Sequence, residues 1–181
     1  MSESEPLART AFHTGQLLTA EDFTREQDYL RDKQKRHNRA LHGFGVVSGL
    51  KVTIGCGRIV VEPGLAFDCD GNEIVIPARQ ELPPLSATNG SSAAYVNIRY
   101  VEETSDAACI GDESEALLLR AVTIIESFEI CIGQENQTRG HRHLRSKWTA
   151  CGEVHALTIA KLKCSAQGWR VDRRYRAPII R

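Results

Sequence analysis

One short segment decides the fold of this chain: Arg36-His37-Asn38-Arg39-Ala40-Leu41-His42-Gly43-Phe44-Gly45-Val46-Val47-Ser48-Gly49-Leu50. It leaves a polar helix, passes through glycines and enters an apolar strand. Glycine adopts positive φ angles that other residues avoid, so a glycine after a helical pattern predicts a sharp change of direction. No catalytic or phosphate-binding spacing fits the segment. The sequence therefore predicts a structural connection between helix and sheet over residues 36–50, called the joint below. Gly43, Gly45 and Gly49 are expected to set its backbone geometry.

The residues before the joint predict one long helix over residues 19–43. Thr19 followed by Glu21 and Asp22 is an N-terminal capping signature. At the other end, Gly43 is the expected left-handed stop.

This helix has few apolar side chains for its length. Phe23, Leu30 and Leu41 lie near one stripe, with Gln34 and His37 between them. A helix that packs on its own domain normally has a wider apolar face. Two interpretations stay open: a mostly exposed helix that lies along its own sheet, or a helix that packs partly against other subunits.

After the joint, the pattern changes to strands. Residues 45–54 and 58–63 flank Gly55-Cys56-Gly57, and residues 65–69 and 72–77 flank Asp70-Gly71. Glycine turns between apolar runs predict β-hairpins. Further strands are predicted over 95–102, 155–163 and 168–171, whereas residues 115–131 fit either a helix or a strand.

The predicted fold class is α+β, mostly β: a long polar N-terminal helix followed by a hairpin-rich sandwich or barrel-like domain. The 181 residues suit one domain with extensions. The expected organisation is an extended N-terminal arm over 1–18, the helix over 19–43, a β-rich domain over 44–172 and a basic C-terminal arm over 173–181.

Charge and cysteine content narrow the possible functions. Lys+Arg and Asp+Glu both number 23, so the zero net charge gives no reason to expect nucleic-acid or anionic-membrane binding. The sequence contains no run of about 18 apolar residues, so no membrane span is predicted. The N-terminus lacks the pattern of a secretory signal, and the six cysteines are irregularly spaced. These features predict a cytoplasmic protein with mostly reduced thiols.

The weak candidates for a metal site are His141, His143, Cys151 and His155. Zinc accepts histidine and cysteine ligands, but their spacing fits no standard zinc motif. The simpler interpretation places the histidines on a solvated basic loop and the cysteine in the core. No cofactor is predicted.

The polar residues of the joint are expected to have structural roles. His37 and His42 are five residues apart, not the four that would bring them together on one face of an α-helix. His37 and Asn38 are therefore predicted to satisfy backbone groups at the helix end or at the start of the sheet. For Asp70-Gly71-Asn72, turn chemistry is a simpler explanation than calcium binding.

Several segments resemble a family of structural proteins encoded with phage-tail-like contractile injection systems. The motifs that carry the resemblance are these: Phe12-His13-Thr14-Gly15-Gln16-Leu17-Leu18 with Asp22-Phe23; His37-Asn38-Arg39 with Leu41-His42-Gly43-Phe44-Gly45; and Val61-Glu62-Pro63-Gly64-Leu65 with Gly71-Asn72-Glu73. The strand Tyr95-Val96-Asn97-Ile98-Arg99-Tyr100 and the closing Arg173-Arg174 also match. The likeness covers most of residues 12–105 and resumes thinly near 154–176.

This resemblance implies a non-enzymatic structural adaptor of a contractile particle, at the cap or tail end, at the baseplate or at a fibre attachment. Its partners would be tube, sheath, cap or baseplate proteins and other copies of the chain. Assembly would take place in the cytoplasm, and the particle would then be released or anchored. The residues expected at interfaces are Phe23, Leu30, Gln34, His37, Asn38, Leu41, Arg173, Arg174 and Tyr175. The alternatives are a β-rich module that binds a surface carbohydrate or protein receptor and, less favoured, a metal-dependent enzyme.

Overall fold

The computed structural model describes residues 8–83, 92–106, 122–138 and 156–180. These residues form one α-helix, one π-helical turn and ten strands, which confirms the predicted α+β, mostly β class. The helical elements are α1 (Ala20–His37) and the π turn (Asn38–His42). The strands are β1 (Gly45–Gly49), β2 (Val52–Gly55), β3 (Arg58–Val61), β4 (Gly64–Phe67), β5 (Glu73–Ile76), β6 (Gln80–Leu82), β7 (Ala93–Asp106), β8 (Val122–Gly133), β9 (Leu157–Ser165) and β10 (Gly168–Val171).

Helix α1 begins at a complete capping box. The Thr19 backbone N–H donates to Asp22 Oδ2 at 3.0 Å, and Thr19 Oγ1 accepts from the Asp22 backbone N–H at 3.4 Å. The hydrogen bond from the Thr19 backbone lowers the pKa of Asp22. The predicted helix start is therefore confirmed, because two N–H groups that the helix leaves unpaired are satisfied reciprocally.

The end of the helix differs from the sequence prediction. Regular α-helix stops at His37, and the next five residues form a π turn in which the Gly43 N–H donates to the Asn38 carbonyl at 3.0 Å. Gly43 has the expected positive φ of 78°, but its ψ of −148° lies outside the left-handed helical region. The predicted left-handed stop was wrong in this respect, because the chain leaves the π turn directly into an extended path toward β1.

The predicted strand over 45–54 is divided in two. Gly49 and Leu50 both have positive φ, 67° and 55°, and this corner separates β1 from β2. β1 pairs with β4, whereas β2 pairs with β3. At the corner the two sides of the hairpin stay hydrogen-bonded, because the Leu50 N–H donates to the Pro63 carbonyl at 3.1 Å. One long hairpin is thus bent so that each half belongs to a different sheet.

Three sheets surround the core. Their strand orders are β1-β4-β5, β2-β3-β6 and β10-β9-β7-β8. Each contributes fully buried side chains to one cluster: Ile74 and Ile76 from the first, Ile59 and Val61 from the second, and Val96, Ile98 and Leu162 from the third. Three sheets that share one core give the barrel-like form of the predicted sandwich or barrel-like domain.

The ambiguous segment near 115–131 is a strand from Val122 onward, and residues 115–121 lie outside the described part of the chain. β8 pairs with β7 over the whole of its length, from Tyr95↔Gly133 to Asp106↔Val122. Toward that far end the side chains of residues 102–105 and 123–126 are exposed on both faces of the ribbon. This half of the β7–β8 hairpin therefore extends beyond the core.

The C-terminal segment adds an edge to the first sheet. Val46 forms a parallel bridge with Ile179, through hydrogen bonds from the Val46 N–H to the Pro178 carbonyl and from the Ile180 N–H to the Val46 carbonyl. A Cβ at Gly45 would lie 2.7 Å from the Pro178 oxygen, so only glycine allows this approach. This part of the predicted C-terminal arm is thus paired with its own chain.

No helix in the described ranges is long and apolar enough to cross a membrane.

The corner at Gly49 gives a direct test of the bent hairpin. A Cβ at this position would lie 2.0 Å from the Pro63 carbonyl oxygen, and φ is positive. We expect Gly49→Ala to lower the free energy of unfolding by roughly 3 kcal/mol or more, because strain and overlap add. The matched control is Gly55→Ala, whose added Cβ has no atom within 4 Å. Chemical denaturation measures the free energy of unfolding of both variants. Equal stability of the two would contradict the close backbone contact at Gly49.

Candidate subunit interface

Asn38 joins the helix to the β4–β5 hairpin. Its side chain is 2% exposed, and Nδ2 donates to the Gly71 carbonyl at 2.9 Å. Its Oδ1 accepts from Gln34 Nε2 at 3.0 Å, so both ends of the buried amide are satisfied. The predicted structural partner was the helix end or the start of the sheet. The structure shows instead a turn more than thirty residues away in sequence.

Gly71 lets the two backbones meet. Its φ is 87°, and a Cβ there would lie 2.3 Å from the Lys35 carbonyl oxygen of α1. The hairpin turn therefore rests directly on helix backbone, which no side chain larger than hydrogen would permit.

Charged side chains surround this contact. Lys35 Nζ and Arg39 Nη1 each lie 3.8 Å from a carboxylate oxygen of Asp70. Arg39 also donates to the Asp70 backbone carbonyl. Partly exposed ion pairs at this distance contribute little stability. They orient the last turn of α1 on the hairpin more than they strengthen the contact.

Asp68 organises the turn from inside. Its Oδ1 accepts from the backbone N–H groups of Asp70 and Asn72, both at 2.9 Å, and its Oδ2 accepts from Asn72 Nδ2 at 2.7 Å. Burial raises the pKa of Asp68, and the hydrogen bonds from Asn72 oppose that shift. The turn is a five-residue loop closed by Phe67↔Glu73, not a two-residue Asp-Gly turn. Asp68 was not among the predicted turn residues.

The two histidines of the joint do lie together. The ring centroids of His37 and His42 are 5.5 Å apart in an edge-to-face arrangement, and His42 is 6.0 Å from the Phe67 ring. The expectation that five-residue spacing separates them was wrong, because it assumed α-helical geometry. In a π turn, residues i and i+5 are neighbours along the helix axis.

Helix α1 buries none of its side chains. Phe23 is 55% exposed, Leu30 57% and, in the π turn, Leu41 65%, and Gln34 and His37 are also exposed. The predicted stripe is therefore not packed into the protein's own core. A mostly exposed helix beside its own sheet is what the first interpretation expects, and packing against other subunits stays a prediction.

A groove separates α1 from the sheet beside it. Its volume is about 520 Å³. Gln27, Leu30 and Gln34 line the helix side, and Tyr100 and Glu126 line the wall formed by β7 and β8. The helix is thus attached at its C-terminal end and leaves an open space along its middle.

The C-terminal segment forms a second cleft, of about 440 Å³. Tyr175 is half-buried, its hydroxyl donates to the Thr158 carbonyl at 3.0 Å, and burial raises its pKa. The rings of Tyr95 and Tyr175 pack in an edge-to-face arrangement with their centroids 6.4 Å apart. Lys161 Nζ lies 5.4 Å from the centroid of the Tyr95 ring. These contacts occupy the ring of Tyr95, on which a sugar would need to stack. Of the predicted arm residues, Arg173 and Arg174 are exposed.

A buried polar pair lies beneath this cleft and was not predicted. Thr158 Oγ1 donates to Asn97 Oδ1 at 2.6 Å, and both side chains are at most 1% exposed. In an alternating strand Asn97 would share a face with Tyr95 and Arg99, which are less buried than Val96 and Ile98, so its burial does not follow from the sequence pattern. The Gln137 N–H completes the network by donating to Thr158 Oγ1 at 2.9 Å. Only the pairing of β7 with β9 brings these groups together.

The weak metal candidates His141, His143, Cys151 and His155 lie outside the described residues. Within residues 8–83, 92–106, 122–138 and 156–180, no group of three or more potential ligands is arranged to hold a metal ion.

Solved structures similar to this chain are baseplate proteins of type VI secretion systems. A chain of the TssK–TssF–TssG baseplate subcomplex matches with a TM-score of 0.54 and 14% identity, over 96% of this chain and 62% of the other. The crystal structure of TssK matches with a TM-score of 0.52 and 13% identity, over 96% of this chain and 42% of TssK. A chain of another type VI secretion baseplate complex matches with a TM-score of 0.53 and 15% identity, over 96% of this chain and 60% of the other.

These likenesses establish a shared fold. This chain spans between about two-fifths and three-fifths of the length of those proteins, which belong to a contractile injection system. No protein-family model matches the sequence, and no curated protein is significantly similar to it.

The helix–hairpin contact can be tested through Asn38. We expect Asn38→Ala to lower the free energy of unfolding by about 1–3 kcal/mol, because it leaves the Gly71 carbonyl without its donor. Arg36→Ala, an exposed change in the same helical turn, is the control and should stay within about 0.5 kcal/mol of the wild type. Urea denaturation followed by circular dichroism measures both. If Asn38→Ala left the free energy of unfolding unchanged, the amide would not be what holds the joint.

The raised pKa of Asp68 predicts a pH-dependent stability. A group whose pKa is higher in the folded state than in the unfolded state stabilises the fold fully only when the pH is below the unfolded pKa, here about 3.8. That stabilisation is lost as the pH rises through the folded pKa. We therefore expect the stability of the wild type relative to Asp68→Asn to fall as the pH is raised from below 3.8 into the mildly acidic range. Denaturation at several pH values measures this difference, and a rise over the same range would contradict the shift.

Proposed function

We propose that this chain is a non-enzymatic structural adaptor subunit of a phage-tail-like contractile injection particle, placed at the baseplate. The observation that carries this proposal is the fold, which type VI secretion baseplate proteins share over 96% of the chain. The motif resemblance in the N-terminal half points to the same class of particle from the sequence. The fold and the motifs are different properties of the chain, since identity to the solved structures is only 13–15%.

The exposed surfaces suit a protein that works through contacts. Helix α1 presents Phe23 and Leu30 to solvent, and the β7–β8 ribbon exposes Ile124 and Ile125 beyond the core. Large exposed apolar side chains on projecting elements are typical of surfaces that other subunits cover. Tube, sheath or baseplate proteins and other copies of this chain are the proposed partners.

The proposed interface residues differ in their present surroundings. Phe23, Leu30, Gln34, His37 and Leu41 are exposed on the helical segment, and Arg173 and Arg174 are exposed near the C-terminus. Asn38 and Tyr175 already make hydrogen bonds within the chain. We assign these two the role of holding the helix and the C-terminal segment in place, and the exposed residues the role of contacting partners. Assembly in the cytoplasm, with the segment 1–18 acting as an arm and the exposed Arg173 and Arg174 contacting partners, completes the proposal.

The β-rich binding module is a weaker candidate, because the two aromatic rings that line the polar cleft, Tyr95 and Tyr175, pack against each other and Lys161 lies over Tyr95. The metal-dependent enzyme depends on residues outside the described part of the chain.

The proposal predicts that the chain is incorporated into particles. A tagged chain expressed in the producing cells should sediment with sheath and tube proteins when contractile particles are purified. We expect Phe23→Ser with Leu30→Ser to reduce incorporation by about tenfold, since losing two apolar anchors costs an interface more than 1 kcal/mol. Stability should change little, because both side chains are already more than half exposed.

Val75→Ser is the control, because Val75 is an apolar side chain of β5 that is 52% exposed and does not line the groove beside α1. It should leave incorporation unchanged. A wild-type chain that never sediments with sheath and tube proteins would overturn the proposed function.

A further inference from the structure

Helix α1 carries the spacing of a coiled-coil seam. Phe23, Gln27, Leu30, Gln34 and His37 follow one another at intervals of 4, 3, 4 and 3 residues. This is the spacing of the d and a positions of a heptad, which keeps side chains on one side of a helix pair. All five are exposed. Three of them, Gln27, Leu30 and Gln34, line the open groove between α1 and the β7–β8 wall and are not packed against that wall.

The residues that flank the seam are charged in a complementary way. With Leu30 at d, Glu26 occupies a g position and Arg31 the next e position. In a parallel pair of helices, a g residue of one helix faces the following e residue of its partner. Glu26 of one copy would then face Arg31 of the partner copy, and the symmetric contact would repeat the pair. The same helix is therefore complementary to itself.

Neither group is strongly engaged within its own chain. Arg31 lies 2.8 Å from Asp28, three residues earlier on the helix surface, and both side chains are nearly half exposed. Such pairs are weak and exchange readily. Glu26 Oε2 is shielded from solvent but has no hydrogen-bond partner among the described residues. A small rotation of this side chain would present its carboxylate to a donor on a neighbouring copy.

The groove beside α1 supplies the rest of the contact. Gln27, Leu30 and Gln34 of the seam line it on one side, and Glu73 and Glu126 contribute acidic groups to its lining. A partner helix lying in this groove would carry its own basic g residue, Lys33, toward these acidic groups.

We propose that α1 is a parallel helix–helix interface between copies of this chain, in which Glu26 of one copy pairs with Arg31 of the next. This inference rests on the proposed function in one respect, that the chain is a repeated subunit of a particle. Two glutamines in the seam lower its stability but favour one register. Association of the isolated chain therefore depends on concentration, and surrounding subunits strengthen it in the particle.

The test is a charge exchange in the full chain. Glu26→Lys and Arg31→Glu each place like charges in both symmetric contacts. Light scattering behind a sizing column should show each variant dissociating at roughly tenfold higher concentration than the wild type. An equal mixture of the two variants should recover the wild-type mass, because every contact then joins opposite charges. Recovery also shows that both variants are folded.

Two controls change charge outside the seam. Arg25→Glu and Asp32→Lys alter f positions of the same helix, and both should leave the mass unchanged. In an antiparallel pair Glu26 of one copy would instead face Lys33 of the other. The double variant Glu26→Lys, Lys33→Glu would then keep the wild-type mass, and the mixture of the two single variants would not recover it. That result would overturn the parallel arrangement.

The outcomes separate this inference from the proposed function. A wild-type chain that stays monomeric at every concentration but sediments with contractile particles would overturn the α1 interface and leave the proposed function standing. A chain that forms the charge-dependent oligomer but never enters particles would do the reverse.

Discussion

The buried amide of Asn38 is the contact on which the presentation of the helix depends. It ties the start of the π turn to the Gly71 carbonyl, while Gly71 itself lies against the Lys35 backbone. A hydrogen bond inside a site closed to water is costly to lose, because the abandoned carbonyl has no solvent to replace its donor. Since α1 buries no side chain of its own, this end attachment fixes its direction. The rest of the helix is left exposed.

A second constraint explains why the β domain can hold the joint. The hairpin formed by β1, β2, β3 and β4 bends where Gly49 passes Gly64, and a Cβ on either residue would overlap the opposite backbone. The bend lets one hairpin supply two sheets, and the third sheet closes on the same core. The β4–β5 turn that receives Asn38 belongs to one of these sheets, so the helix is attached to a sheet that contributes to the core.

Local chemistry made several features predictable. The capping box at Thr19, the hairpins and the long polar helix depend on neighbours within a few residues, so their signals are contained in short stretches. The corner at Leu50 and the burial of Asn97 were missed because each depends on a distant strand. Of the candidate interface residues, the apolar ones were recognisable from helical spacing. The contact of His37 with His42 was not, because the sequence gives no sign that an α-helix will widen into a π turn.

The sequence by itself determined the class of fold, the polar character of α1 and the 4-3-4-3 seam along it, since these follow from backbone propensity and side-chain periodicity. Tertiary structure alone decided that the seam remains uncovered, that Asn38 reaches Gly71 and that Asp68 is buried with a raised pKa. The physical reason is that burial is a property of the assembled sheets. Whether a side chain meets water depends on where the bent hairpin places its neighbours, and those neighbours are distant in the sequence.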